Sequence, residues 1–302
     1  MGEKALKELA KTHKLANLLL EYREVSKLLN TYTLNNKETK LAKNIKGSRV
    51  YGEFNQAGTV TGRFSSSNPN LQNIPRKDAF GIRRMFVAKP GCRLLVADYS
   101  QIEPRLLAHI SQDQRLQSVF KEGRDLYQEL SEQLNITRDT AKTFFLAMNY
   151  GAGPRKIAYV TGKEEKVASE LIQKFHKLFP GISALRSKVR REVEVVGFIQ
   201  TIYGRKRRFP TYKTEEERKR EGLLREAFNF LMQGSSADII KIALIRTREA
   251  NPIATVHDEI LYEVPDSQGT LTAEWVKERL EDFELGVPIK AEVKLVSNWG
   301  EK

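Results

Sequence analysis

Apolar residues recur at helical spacing through the Ala-, Leu-, Lys- and Glu-rich residues 4–30, and the pattern predicts a helix there. Residues 30–46 are polar and predict a connector. Residues 51–75, YGEFNQAGTVTGRFSSSNPNLQNIP, are crowded with Gly, Ser, Asn and Pro, which predicts ordered loop and short strand. The run RLLVADY, 93–99, is a short apolar segment ending in an acid and predicts a buried strand. Residues 101–111 follow with helical spacing, and Pro104 falls in the first turn, where its missing N–H costs little. Residues 123–210 read as mostly helical, broken at 150–154 (YGAGP) and at Pro180-Gly181, and 215–250 form a long amphipathic stretch. The segment IATVHDEILYEV, 253–264, predicts two strands meeting at a tight turn around His257, Asp258 and Glu259. A helix over 272–283 and a strand over 289–296 close the chain. Strands thus flank a central helical block, which predicts an α+β sheet domain with a helical insertion.

The composition adds a direction. Of 302 residues, 51 are Lys or Arg and 38 are Asp or Glu, a net charge of +13. Such a balance attracts polyanions, nucleic acid before an anionic membrane surface. Charge by itself also fits an ordinary solvated surface. Cys92 is the single cysteine, so no internal disulfide forms and a reducing compartment fits. The start, MGEKALKELAKTHK, lacks a signal peptide's apolar core, and no apolar run reaches the eighteen or so residues of a membrane span. The expectation is a cytoplasmic or otherwise intracellular protein with no membrane partner.

Three groups of residues could carry chemistry. Asp98 ends an apolar strand and Asp258 sits at a hairpin tip. Acids at the ends of neighbouring strands are what a pair of divalent ions about 3.5–4 Å apart requires, because the backbone ladder fixes their separation. Taken alone, each is more simply a turn aspartate. Arg138, Lys142, Leu146 and Tyr150 recur every four residues on one helical face. Two cations a turn apart suit a triphosphate, with Lys142 a point charge and Arg138 a planar fork; the plainer reading is a solvated basic face. The loop TGRFSSSNPNLQNIP, 61–75, combines hydroxyls, amides and an arginine, the groups that grip phosphates and base edges.

TGRFSSSNPNLQNIP, DYSQIEPR, the Arg138–Gly151 helix, FNFLMQGSSAD and VHDE stand in the order seen in family A DNA polymerases, the DNA polymerase I family, and the chain resembles that family from about residue 15 to SNWGEK at its end. The resemblance implies a right-hand polymerase fold with an antiparallel-sheet palm, helical fingers and a partial helical thumb. It divides the chain into a partial thumb helix and connector at 1–48, a first part of the palm at 49–123, fingers at 124–212 and a second part of the palm at 213–302. It implies template-directed DNA synthesis from dNTPs on primer-template DNA, with two Mg²⁺ ions (Mn²⁺ substituting) held by Asp98, Asp258 and the Tyr99 carbonyl, and Glu259 as an accessory acid. Nucleotide contacts would come from Gln101, Glu103, Tyr127, Arg138, Lys142, Leu146 and Tyr150, with Glu103 filling the space a ribose 2′-OH needs. DNA contacts would come from Arg23, Lys27, Arg63, Gln72, Asn73, Gly151, Arg225, Asn229, Gln233 and His257. Contacts to minor-groove acceptors, which lie alike in all Watson–Crick pairs, test geometry rather than sequence.

The chain departs from the family at three site positions. Leu146 stands where Phe or Tyr is usual, Tyr127 where a histidine is usual, and Pro104 where Leu is usual. Most of a thumb and any proofreading domain are also expected to be missing, with a partner protein or further N-terminal region completing the thumb. Other readings are a single-subunit RNA polymerase, against which Glu103 argues; a non-catalytic relative, against which the two aspartates argue; and a metal-dependent nuclease, which has no use for the Arg138–Lys142–Tyr150 face.

Overall fold

The stretch expected as one N-terminal helix is two in the computed structural model, which describes residues 2–33, 39–76 and 80–302: α1 (Glu3–Leu9) and α2 (Lys14–Tyr32). Side chains compete for backbone groups at the break, where Thr12 Oγ1 donates to the Leu9 carbonyl and Asn17 Nδ2 to that of Ala10. The connector expected over 30–46 lies partly outside the described residues. Two small hairpins follow, β1 (Ile45–Lys46) with β2 (Arg49–Val50) and β3 (Glu53–Asn55) with β4 (Ser65–Ser67), so the loop-rich segment carries short strand as its composition implies.

The expected strand is β5 (Cys92–Tyr99). Leu95, Ala97 and Tyr99 enter one apolar cluster, Leu94 and Val96 another. Burial on both faces explains a continuous apolar run where a half-exposed strand would alternate. A helical block comes next: α3 (Ile102–Ser111), α4 (Gln114–Lys121), α5 (Leu126–Leu134), α6 (Arg138–Asn149), α7 (Pro154–Thr161), α8 (Glu165–Leu178) and α9 (Pro180–Val195). Its starts are capped by side chains that accept first-turn amides: Asp113 from Leu116, Asp125 from Tyr127 and Gln128, Thr137 from Thr140. Within the span expected to be helical lies a hairpin, β6 (Phe198–Gln200) with β7 (Lys206–Arg208), turned through Gly204 at φ +86°. The charged Lys206-Arg207-Arg208 run conceals it, since neither strand alternates apolar and polar residues.

Helix α10 (Glu217–Arg246) leads into β8 (Pro252–Val256) and β9 (Glu259–Pro265), followed by α11 (Gly269–Glu281) and β10 (Ala291–Val296). The four long strands form one antiparallel sheet in the order β10-β5-β9-β8. Helix α10 joins two cores: Phe228, Phe230 and Leu231 belong to the helical cluster, Ile239, Ile240 and Ala243 to the cluster against the sheet. Among the described residues, no helix is long and apolar enough to cross a membrane.

Candidate active site

Strand pairing brings the two aspartates together. Asp98 lies opposite Glu259 in the β5–β9 register, and the Tyr99 amide donates to the Asp258 carbonyl at 3.1 Å. His257 takes the tip of the turn in the left-handed region, φ +56°. The Asp98 side chain is 24% exposed and that of Asp258 30%, so both open towards solvent. Burial raises the Asp258 carboxyl to about 6; Arg63 opposes the rise, and the neighbouring charges of Glu103 and Asp98 add to it. Ser236 Oγ, at 3.5 Å, donates to Asp258. Among the described residues, no three His, Cys, Asp or Glu side chains converge as a metal-holding group. Two crowded carboxylates are nonetheless a donor set that suits Mg²⁺, which takes one or two protein carboxylates and fills its octahedron with water and phosphate oxygens.

Glu103, in the first turn of α3, is bonded from two sides: Arg63 Nη2 lies 2.6 Å from Oε1 and the Tyr150 hydroxyl 3.1 Å from Oε2. Arg63 Nη2 is also 3.9 Å from Asp258 Oδ1. Gln233 Nε2 donates to the Tyr150 hydroxyl at 3.0 Å. One network therefore ties the 61–75 loop, α3, the end of α6 and α10 around the mouth of the aspartate site. Arg225, Asn229 and Gln233 recur every four residues along α10, on a face that is not buried. Gln72 Nε2 reaches the Thr255 carbonyl at 3.5 Å, and the Asn73 carbonyl accepts from Tyr32 Oη. Gln101 adopts φ +54°, and its buried Oε1 has no protein partner.

On α6 and its C-terminal cap, Arg138, Lys142 and Tyr150 are exposed and Leu146 is half-buried, so the four share one open face. Phe145 points the other way and is fully buried, edge-on to Tyr127, Phe175 and Phe179. Arg138 is paired with Asp125 at 2.7 Å and lies over the Tyr127 ring. Tyr127 is only 5% exposed, and burial raises its hydroxyl to about 12. Arg23 and Lys27 are exposed on α2.

Glu259, expected as an accessory acid, is enclosed by residues that were not singled out by sequence. Glu259 is 7% exposed and accepts from Trp299 Nε1 at 2.6 Å and Arg83 Nη1 at 3.3 Å. The Arg83 guanidinium stacks 4.0 Å from the Trp299 ring. Lys302 Nζ sits 3.0 Å from Asp98 Oδ2 and 3.4 Å from Glu259 Oε2. Ser236 lies inside a quoted motif, yet only the helix position places it at Asp258. The others carry no local signal, because their partners are distant in sequence.

The sequence model of DNA polymerase family A matches residues 1–301, and the chain belongs to that family. It is 36% identical over 313 residues to the thermostable DNA polymerase I of Thermus filiformis, covering 98% of this chain and 37% of that protein. It is 34% identical over 316 residues to DNA polymerase I of Treponema pallidum, covering 98% of this chain and 31% of that protein. The chain thus spans 31–37% of the length of these curated relatives. The POL domain of Pol1 from M. smegmatis, solved in complex with DNA primer-template and dNTP, matches with a TM-score of 0.90 at 30% identity, over 99% of this chain and 56% of that one. The architecture is the right-hand one: a palm-like antiparallel sheet, a helical fingers region and a partial helical thumb.

Proposed function

We propose that this chain carries out template-directed DNA synthesis, joining dNTPs to the 3′ end of a primer with release of pyrophosphate. The observation that carries the reading is the placement of Asp98, near the end of β5, beside Asp258, in the turn that leads into β9, next to the Glu103–Tyr150–Gln233 network, in a family A chain. Asp98, Asp258 and the Tyr99 carbonyl would hold two Mg²⁺ ions, or Mn²⁺, whose role is to activate the primer hydroxyl and neutralise charge on the triphosphate.

The chain's own residues supply binding and orientation. Lys142 and Arg138 take the triphosphate, Arg138 already oriented by Asp125 and supported from beneath by Tyr127. Gln101 would contact the nucleotide as well, and Leu146 would give it an apolar contact. Glu103, fixed from two sides, excludes a 2′-OH. Tyr150 and Gly151 border the template base. Arg63, Gln72, Asn73, Arg225, Asn229, Gln233 and His257 line the new pair and its neighbours, while Arg23 and Lys27 neutralise backbone phosphates. Glu259 braces the aspartate turn through Arg83 and Trp299. The subdomain bounds 1–48, 49–123, 124–212 and 213–302 are part of the same proposal. Leu15, Leu18, Tyr22 and Leu29 form an exposed apolar row on α2, which supports the reading that a further segment or a partner protein completes the thumb.

The test is primer extension with the four dNTPs against the four NTPs. Template-dependent extension by dNTPs alone is expected. Extension by NTPs with equal efficiency would move the chain to RNA synthesis, and binding without extension would make it a non-catalytic relative.

A further inference from the structure

The last carbonyls of a helix have no partners within it, and a buried helix end must find them elsewhere. Helix α6 ends at the residues that carry Tyr150; the Gly151 amide donates to the Met148 carbonyl at 3.0 Å, and one side chain supplies further donors. Arg186, from α9, donates through Nη2 to the Met148 carbonyl at 2.6 Å and to the Asn149 carbonyl at 3.0 Å. Its guanidinium also stacks on the Phe228 ring of α10, 4.1 Å from the centroid. No carboxylate lies within ion-pair distance of it among the described residues, although Arg190, one turn on, is paired with Glu221 at 2.7 Å. Burial pushes the Arg186 pKa down. The charge is balanced by carbonyls and the negative end of α6, a costly arrangement for a side chain that only filled space.

The turn that follows is closed in around it. Gly151 adopts φ +72°, and a Cβ there would lie 2.9 Å from Arg225 Cγ and Cδ and 3.8 Å from Arg186 Nη1. Tyr150 is thus fixed at two points: its hydroxyl by Glu103 and Gln233, its backbone by Arg186 through the preceding carbonyls.

We propose that Arg186 is a positioning residue for Tyr150, latching the C-terminal end of α6 onto α9 and α10 so that the ring is presented at the template position. The proposal rests on the reading of Tyr150 as a template-site residue. Arg186→Met keeps apolar bulk over Phe228 and removes the donors; Arg186→Lys keeps a cation able to reach a carbonyl. Single-nucleotide kinetics should show KM for the correct dNTP raised about tenfold in Arg186→Met and about threefold in Arg186→Lys, with the Kd for primer-template unchanged. In a Tyr150→Ala background both substitutions should be nearly silent, because a residue acting through Tyr150 has nothing left to position. If Tyr150→Ala alone leaves KM and discrimination unaltered, the template-site reading of Tyr150 fails. If it alters them and the Arg186 effects multiply with it in full, or appear only as a lower Tm, the latch is refuted. Should Arg186→Met fail to fold, Arg186→Lys decides the matter through the same cycle.

Discussion

The Tyr150 hydroxyl donates to Glu103 Oε2 across 3.1 Å, while Arg63 holds the other oxygen of the same carboxylate at 2.6 Å. On the proposed function, Glu103 held in this way would be a rigid obstacle where a flexible acid would yield to an incoming hydroxyl. Glu103→Ala removes the obstacle and both bonds together. The ratio of kcat/KM for ribonucleotides to that for deoxyribonucleotides should rise by about tenfold or more, with lower overall activity as Tyr150 loses a partner. Competition between matched NTP and dNTP pools measures it; an unmoved ratio would show that the discrimination lies elsewhere.

Asp98→Ala and Asp258→Ala should each depress extension by about a thousandfold or more, since each removes a charge the reaction needs in place. Neither residue belongs to the basic surface, so duplex affinity by fluorescence anisotropy should hold or rise. Measurable synthesis by either variant at saturating Mg²⁺ would contradict the assignment.

Leu146 and its neighbour Phe145 separate packing from chemistry. Phe145 lies in an aromatic cluster with Tyr127, Phe175 and Phe179, so Phe145→Ala should cost about 3–5 kcal/mol of stability, read from denaturant unfolding. Leu146 is half-buried on the face that Arg138, Lys142 and Tyr150 share. Restoring a ring with Leu146→Phe should raise kcat/KM for correct dNTPs about three- to tenfold, the worth of about 0.5–1.5 kcal/mol of aromatic packing. A neutral or harmful Leu146→Phe would mean that the local packing already compensates.

Far from the cleft, Glu263 gives a pH signature. Burial pushes its carboxyl up, but the Lys89 amide and the Arg49 guanidinium outweigh burial and hold it below the usual carboxylate value. A depressed folded value means fewer protons on the native state than on the unfolded chain. The stabilisation is thus complete above pH about 4.5 and fades as pH falls through the folded value. Glu263→Gln should cost about 1 kcal/mol at pH 7, and the gap between the two proteins should close in acid, as pH falls through the folded value. A difference independent of pH would assign the effect to packing.

Much of this was legible because the signals are local. The apolar run ending at Asp98, the four-residue spacing of Arg138, Lys142, Leu146 and Tyr150, and the turn residues of the 61–75 loop each reflect one element's own periodicity or turn chemistry. What escaped depends on tertiary partners. Nothing near Arg186 in sequence distinguishes it from the surrounding surface arginines and lysines, because its carbonyl partners lie almost forty residues earlier. Glu259 reads as an active-site acid beside Asp258, whereas Trp299 and Arg83, which bury it, come from the far end of the chain and from before β5. The break between α1 and α2 turned on Thr12 and Asn17 bonding to backbone carbonyls, a competition that apolar periodicity does not register.

Helix α10 belongs to two apolar clusters, and that shared membership governs how the molecule comes apart. The helical block is contiguous in sequence and looks separable, yet its core is completed by Phe228, Phe230 and Leu231 from a helix that continues into the sheet. Neither layer can lose its packing without exposing apolar surface of the other, so melting should be a single cooperative event. Excised alone, the block would present the surface left by α10 to water and behave as an aggregating fragment. The sheet that carries Asp98 and the helices of the block are in this sense one folding unit wound from two halves of chain.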